Sequence, residues 1–147
     1  MIYERPKYKN QYENFIGGEW IARSSGEYIE NISPVDGKLL TKIPRSNEKD
    51  VDLAVEAAKK GFEEFKHTSV TQRSALLNKI ADIVEQNLET LAVAETLDNG
   101  KAVRETLNAD LPLFIDHFRY FASVIRAESG TISDLDENTI SQEIYEP

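Results

Sequence analysis

Four stretches in a row between Ser46 and Ser129 carry apolar residues at steps of three and four. Val51, Val55, Ala58, Phe62 and Phe65 draw the first stripe, and Leu76, Leu77, Ile80, Ile83 and Val84 the second. Leu88, Leu91, Ala92 and Leu97 form a shorter third, and Val103, Leu107, Leu111, Phe114, Phe118, Phe121 and Ile125 a long fourth. That period puts each set on one face of an α-helix, so 46–129 has to be a run of amphipathic helices that need something to cover. The punctuation agrees. Ser46 and Asn47 offer N-cap oxygens ahead of Glu48 and Asp50, whose charges suit the positive end of a helix. Ser69 or Thr71 can cap the second helix, and Asp98-Asn99-Gly100 supplies a left-handed stop for the third. Pro112 removes a backbone donor inside the fourth stretch, which predicts a break or kink near Asp110, with Asp110 as a cap for the second segment. Gly130 ends it.

The flanks read as strands. Phe15-Ile16 and Trp20-Ile21 bracket Gly17-Gly18, a two-residue turn that glycine accepts with positive φ. Tyr28, Ile29 and Ile32 lead into Ser33-Pro34-Val35-Asp36-Gly37, and an extended pattern resumes from Leu39 to Ile43. Residues 14–45 are thus a β meander, preceded by a polar and aromatic tail, 1–13. Thr131–Ser133 and Thr139–Tyr145 flank the polar turn Asp134–Asn138 as another hairpin, in the segment 131–147.

A chain of 147 residues is one domain's worth, and folding at this length buries about 68–70% of the unfolded surface. Seventeen basic against 26 acidic residues leave a formal charge of -9, which argues against nucleic-acid and anionic-membrane partners. No apolar run approaches the roughly 20 residues that cross a bilayer, and no secretion signal is visible at the N-terminus. With no cysteine there are no disulfides, thiolate metal sites or cysteine nucleophiles, which fits a cytoplasmic location.

Chemistry is sparse. No Gly-x-Ser-x-Gly elbow exists, and neither His67 nor His117 stands at a recognisable spacing from a serine and an acid. His67 reads as a solvated link residue and His117 as a helix-surface or packing residue. The glycines form no phosphate-binding motif. Asp134, Asp136 and Asn138 resemble part of a calcium loop but lack its glycine and its bidentate glutamate. Trp20 and the run Phe114, Phe118, Tyr120, Phe121 read as core at their spacing beside leucines. The residues alone describe an acidic, helix-rich α+β domain with no complete reaction site.

Larger blocks are more informative. Asn14-Phe15-Ile16-Gly17-Gly18-Glu19-Trp20, Ile32-Ser33-Pro34-Val35-Asp36-Gly37 and Asp50–Ala58 come first. Arg73–Asp82, Glu95–Lys101, Asp116–Ala122 and the closing Glu146-Pro147 come after them in order. Together they resemble the N-terminal region of the aldehyde dehydrogenase superfamily, over nearly all the chain after residue 10. Phe65, Ala102 and Tyr145 stand where tryptophan, proline and histidine are frequent in that family, differences of local packing.

The resemblance implies a fragment of the α/β aldehyde dehydrogenase fold: N-terminal β-hairpins, a layer of four to five helices, and a C-terminal β-hairpin arm. Residues 14–130 would be the first part of the nucleotide-binding domain, with the helices laid against its sheet, and 131–147 part of the arm through which subunits associate. Family enzymes oxidise aldehydes to carboxylic acids with NAD or NADP, using a cysteine nucleophile, a glutamate that activates water and an asparagine that donates to the oxyanion. All of these come after the Glu-Pro that matches Glu146-Pro147, so no catalytic or cofactor-binding residue carries over. The expected chain is a truncated member, inactive and without cofactor on its own. Its partners would be the remaining part of the enzyme, if split, or a second copy; a non-catalytic binding or oligomerisation module is the alternative. A monovalent cation held in the family near the start of the fold would match the Ile32 carbonyl and the Asp98 carboxylate. Asp98 as part of a helix stop is the plainer reading.

Overall fold

The computed structural model describes residues 3–145, and the Glu146-Pro147 match lies outside them. Three antiparallel hairpins flank the helices along the chain, two before them and one after. The first pairs β1 (Asn14–Ile16) with β2 (Glu19–Ile21), Phe15 facing Trp20 across the register. Its turn is the two-glycine one, with φ of 62° at Gly17 and 89° at Gly18, a conformation that side chains resist. The second pairs β3 (Tyr28–Ile32) with β4 (Leu39–Pro44), with an irregularity between Asn31 and Ile32 where the strand enters the Ser33–Gly37 turn. The third pairs β5 (Ile132–Asp136) with β6 (Thr139–Gln142) and is exposed along its whole length. Its strands run closer to the turn than the sequence pattern suggests, because Asp136 belongs to β5 and accepts the Asn138 N–H at 2.8 Å.

The helices begin where the caps direct. Asn47, rather than Ser46, caps α1 (Glu48–Phe65), and Asp50 answers by accepting the Asn47 N–H at 2.9 Å. Ser69, rather than Thr71, caps α2 (Val70–Gln86) with a reciprocal bond from its N–H to Gln72. Helix α3 (Leu88–Asn99) stops on Gly100 in the left-handed conformation.

Of the break or kink expected near Asp110, the break is absent: the chain stays helical, and the irregularity there is a π-helical turn. Helix α4 (Val103–Glu105) passes through a π-helical turn (Thr106–Asp110) into α5 (Leu111–Ala127), with Asp110 helical and not acting as a cap. A π-turn carries one residue more than an α-turn, so the Leu111 N–H reaches back five residues to the Thr106 carbonyl. Pro112 lies next, in the first turn of α5, where a missing N–H is tolerated, and Asp110 is ion-paired with Lys101 instead of capping.

The core is small and helical. Ala81, Ala92, Val93, Leu97, Ile115 and Ala122 are buried, and the two alanines Ala81 and Ala122 let α2 and α5 approach closely. The Ser74 hydroxyl donates to the Ala122 carbonyl at 2.6 Å, and Arg119 on α5 bridges Asp82 and Glu85 on α2. Thr106, fully buried at the π-turn, donates within reach of the Ala92 and Val103 carbonyls, both 3.1 Å away.

The apolar stripes form as helices, but much of those on α1, α2 and α5 is not buried. Val51, Val55, Phe62 and Phe65 on α1 are exposed, as are Leu76 and Ile83 on α2 and Phe114 and Phe121 on α5. The expectation that Trp20, Phe114, Tyr120 and Phe121 are core residues is therefore corrected. Their spacing sets a helix face or a hairpin register, and what lies beside them leaves Trp20, Tyr120 and Phe121 more than half exposed. Phe114 stacks on Phe118 with centroids 4.3 Å apart, and Trp20 stands over Phe15 at 5.1 Å, so the aromatics cover one another on the surface.

Candidate functional site

The two residues named as cation ligands come to one corner. Residues 31–33 at the end of β3 lie against the C-terminal turn of α3, where the Asn31 amide donates to Asp98 Oδ1 at 2.6 Å and the Ser33 hydroxyl to the Leu97 carbonyl, also at 2.6 Å. Ile32 sits between those two contacts. Ser33 is fully buried, and its hydroxyl satisfies one of the carbonyls that a helix end leaves without an intrahelical partner. Gly100 and Pro34 meet immediately beside it. From the other side Tyr8 approaches; burial, then the Asp98 charge, raise its phenol above the ordinary value.

This corner has oxygen donors but is closed by hydrogen bonds as it stands. Asp98 Oδ1 is engaged by the Asn31 amide, and among the described residues no group of three or more His, Asp or Glu side chains is arranged to hold a metal ion. Asn31 and Ser33 are the residues that sequence reasoning missed. Their only signal is position beside Ile32: Ser33 lies inside a block singled out for other reasons, and Asn31 immediately before it.

A second polar cluster fastens the meander to α1. The Ser24 N–H and hydroxyl donate to Asp50 Oδ1 at 2.8 and 2.7 Å, and these bonds, the Ser24 hydroxyl first and the Asn47 N–H next, hold the Asp50 carboxyl below its ordinary value. Asp136 is likewise lowered, by the Asn138 N–H first and the Thr139 hydroxyl next, which assigns the acidic turn to hairpin closure.

Groups that could perform nucleophilic or acid–base chemistry stay apart. His67 lies in the link between α1 and α2 and His117 on α5, both exposed. No cysteine is present. The surface instead presents apolar area: α1 offers Val55, Ala58 and Phe62 in an open hollow, and a neighbouring hollow runs from Leu53 and Ala57 to Ile16 and Ile21 on the first hairpin. Helical faces this apolar mark contact surfaces. No helix among the described residues is long and apolar enough to cross a membrane.

Known proteins similar to this chain in sequence and in fold agree with one another. The family model described as "Aldehyde dehydrogenase family" matches residues 20–147. A long-chain-aldehyde dehydrogenase of Acinetobacter sp is 61% identical over 140 residues, 95% of this chain and 28% of that protein. Aldehyde dehydrogenase B of Escherichia coli (strain K12) is 56% identical over 141 residues, 96% of this chain and again 28% of that protein. Among solved structures, an indole-3-acetaldehyde dehydrogenase in apo form superposes with a TM-score of 0.85 at 31% identity, covering 92% of this chain and 31% of that one. PnpE in complex with nicotinamide adenine dinucleotide gives 0.84 at 33% identity, over 90% of this chain and 27% of that one. The chain thus spans under a third of the length of these relatives.

Proposed function

Because the chain belongs to the aldehyde dehydrogenase family, we propose that its 147 residues work as the N-terminal section of an NAD(P)-dependent aldehyde dehydrogenase. In this reading they supply scaffold and contact surface rather than reacting groups, and alone they do not oxidise aldehydes. One observation carries the reading: well-formed helices hold large apolar side chains in the open, Phe62 and Phe65 on the capped helix α1 and Phe121 on α5. A helix is amphipathic for a reason, and the energy of covering such faces, about 25 cal/mol per Å2, has to come from further structure.

The dinucleotide, when bound by the whole enzyme, accepts the hydride. The described residues do not fit it, since no glycine-rich phosphate cradle is present among them, and no step is assigned to them. Their part is to hold the helical layer through the α2–α5 contact and to present the β5–β6 hairpin to a neighbouring subunit. The partner is the remainder of the enzyme or a second copy, in the cytoplasm. A monovalent cation at Ile32 and Asp98 belongs to the same reading, supported by their shared corner; the Asn31 amide has to turn from Asp98 to admit it.

The purified chain, mixed with NAD or NADP and a series of short aldehydes, is expected to form no reduced nicotinamide. Steady production above a buffer blank overturns the reading. The uncovered faces equally suit half of a split enzyme. Activity that appears only when the chain is co-expressed with the complementary part of a relative supports that variant.

A further inference from the structure

We propose that residues 5–12 form a releasable strap that closes the open edge of β4 and peels from its Arg5 end. The segment precedes the first hairpin, yet it is bound along its length. Lys42 donates its N–H to the Asn10 carbonyl at 3.1 Å and accepts from the Tyr12 N–H at 2.9 Å, so the strap runs parallel to β4 with Gln11 opposite Lys42. These are the two Lys42 groups that β3 leaves unused, because β3 lies on the other side of β4. The Thr41 hydroxyl adds a bond to the Lys9 carbonyl at 2.8 Å.

The two ends differ. At the root, Gln11 donates to the Tyr28 hydroxyl at 2.7 Å, Tyr28 in turn donates to Glu13, and the Arg23 guanidinium lies 3.5 Å from the Tyr28 ring centre. Glu13, Arg23 and Tyr28 in this knot are half-buried, Gln11 reaches it from the exposed side, and the knot joins three segments of chain. At the tip, one ion pair holds Arg5 to Asp36 on the Ser33–Gly37 turn at 2.9 Å, with Arg5 more than half exposed. Exposed pairs of this kind contribute little and are screened by salt. Between root and tip, Tyr8 passes beside Asp98 and the Lys9 ammonium stands 5.3 Å over the Trp20 ring. A weak, salt-sensitive tip and a firm root give opening a direction. The protection at stake is that of an edge strand, which is prone to pair with other chains when bare.

Amide hydrogen exchange on the intact chain tests this. In low salt the amides of Tyr12 and Lys42 should be protected, and raising NaCl to about 1 M should speed Lys42, whose acceptor Asn10 lies nearer the tip, more than Tyr12 at the root, while α2 and α5 keep their rates. The Asp36→Ala, Thr41→Val double variant should lose roughly tenfold of that protection at Lys42 and less at Tyr12. Should the double variant unfold generally, the salt response of the unaltered chain decides. Free exchange at Tyr12 in the unaltered chain, or salt that speeds Tyr12 as much as or more than Lys42, overturns the proposal.

Discussion

Gly100 and Pro34 touch so closely that a Cβ built on the glycine stands 3.0 Å from Pro34 Cγ, while the glycine itself is held at φ 82°. Two penalties therefore meet at one position. Gly100→Ala should lower stability by about 1–2 kcal/mol for the left-handed conformation alone, and further for the contact. Urea unfolding followed by circular dichroism checks it, and adding Pro34→Ala should restore only the contact's share.

Ser33 makes the companion contact at the same corner. Removing its hydroxyl leaves the Leu97 carbonyl without that donor in a fully buried place. Ser33→Ala is expected to cost about 1 kcal/mol, read from the same unfolding midpoint, and to raise amide exchange at the end of α3.

Acid should weaken the attachment of the meander to α1. The Asp50 carboxyl sits below its ordinary value of 3.8 because Ser24 and Asn47 donate to its charged form. A depressed carboxyl contributes stability that is fully present above the ordinary value and disappears as pH falls through the depressed one. The thermal midpoint of the unaltered chain should fall below pH 4 more steeply than that of Asp50→Asn, which gives up the contribution at every pH.

The β5–β6 hairpin tolerates no side chain at its root. A Cβ on Gly130 would collide with the Glu143 carbonyl oxygen, beside the bond from the Glu143 N–H to the Thr131 carbonyl. Gly130→Ala should free the β5–β6 hairpin, seen as faster amide exchange over 131–143 with the helices unchanged.

Uncovered helix faces should also show themselves. The chain is expected to bind a hydrophobic dye such as ANS and to self-associate as concentration rises in sedimentation runs. Phe62→Lys with Phe65→Gln should reduce both without loss of helical circular dichroism, because these side chains are exposed.

The helices and tight turns were legible in the sequence because their causes are local. A stripe from Val51 to Phe65, a cap at Asn47 or Ser69 and a stop at Gly100 each act within a few residues. Choosing Asn47 over Ser46 required knowing which oxygen reaches the Asp50 N–H, and only geometry supplies that. The corner at Asp98 was legible through family resemblance and not through pattern, since Asn31 and Asp98 are 67 residues apart and distant pairs leave no period. The apolar stripes gave the orientation of each helix but not whether anything would lie over it. At Pro112, a missing donor signals trouble in the ladder without saying whether the chain answers with a break or with an extra residue.

That extra residue sets a phase. Each residue of an α-helix turns the next by about 100°, so the surplus in the π-turn at Thr106–Asp110 decides which side of α5 meets α2. Shorten the turn by one residue and Ile115 and Ala122 swing out of the interior, although their own sequence is untouched. The composition of α5 writes its hydrophobic side; a dial one turn upstream points it.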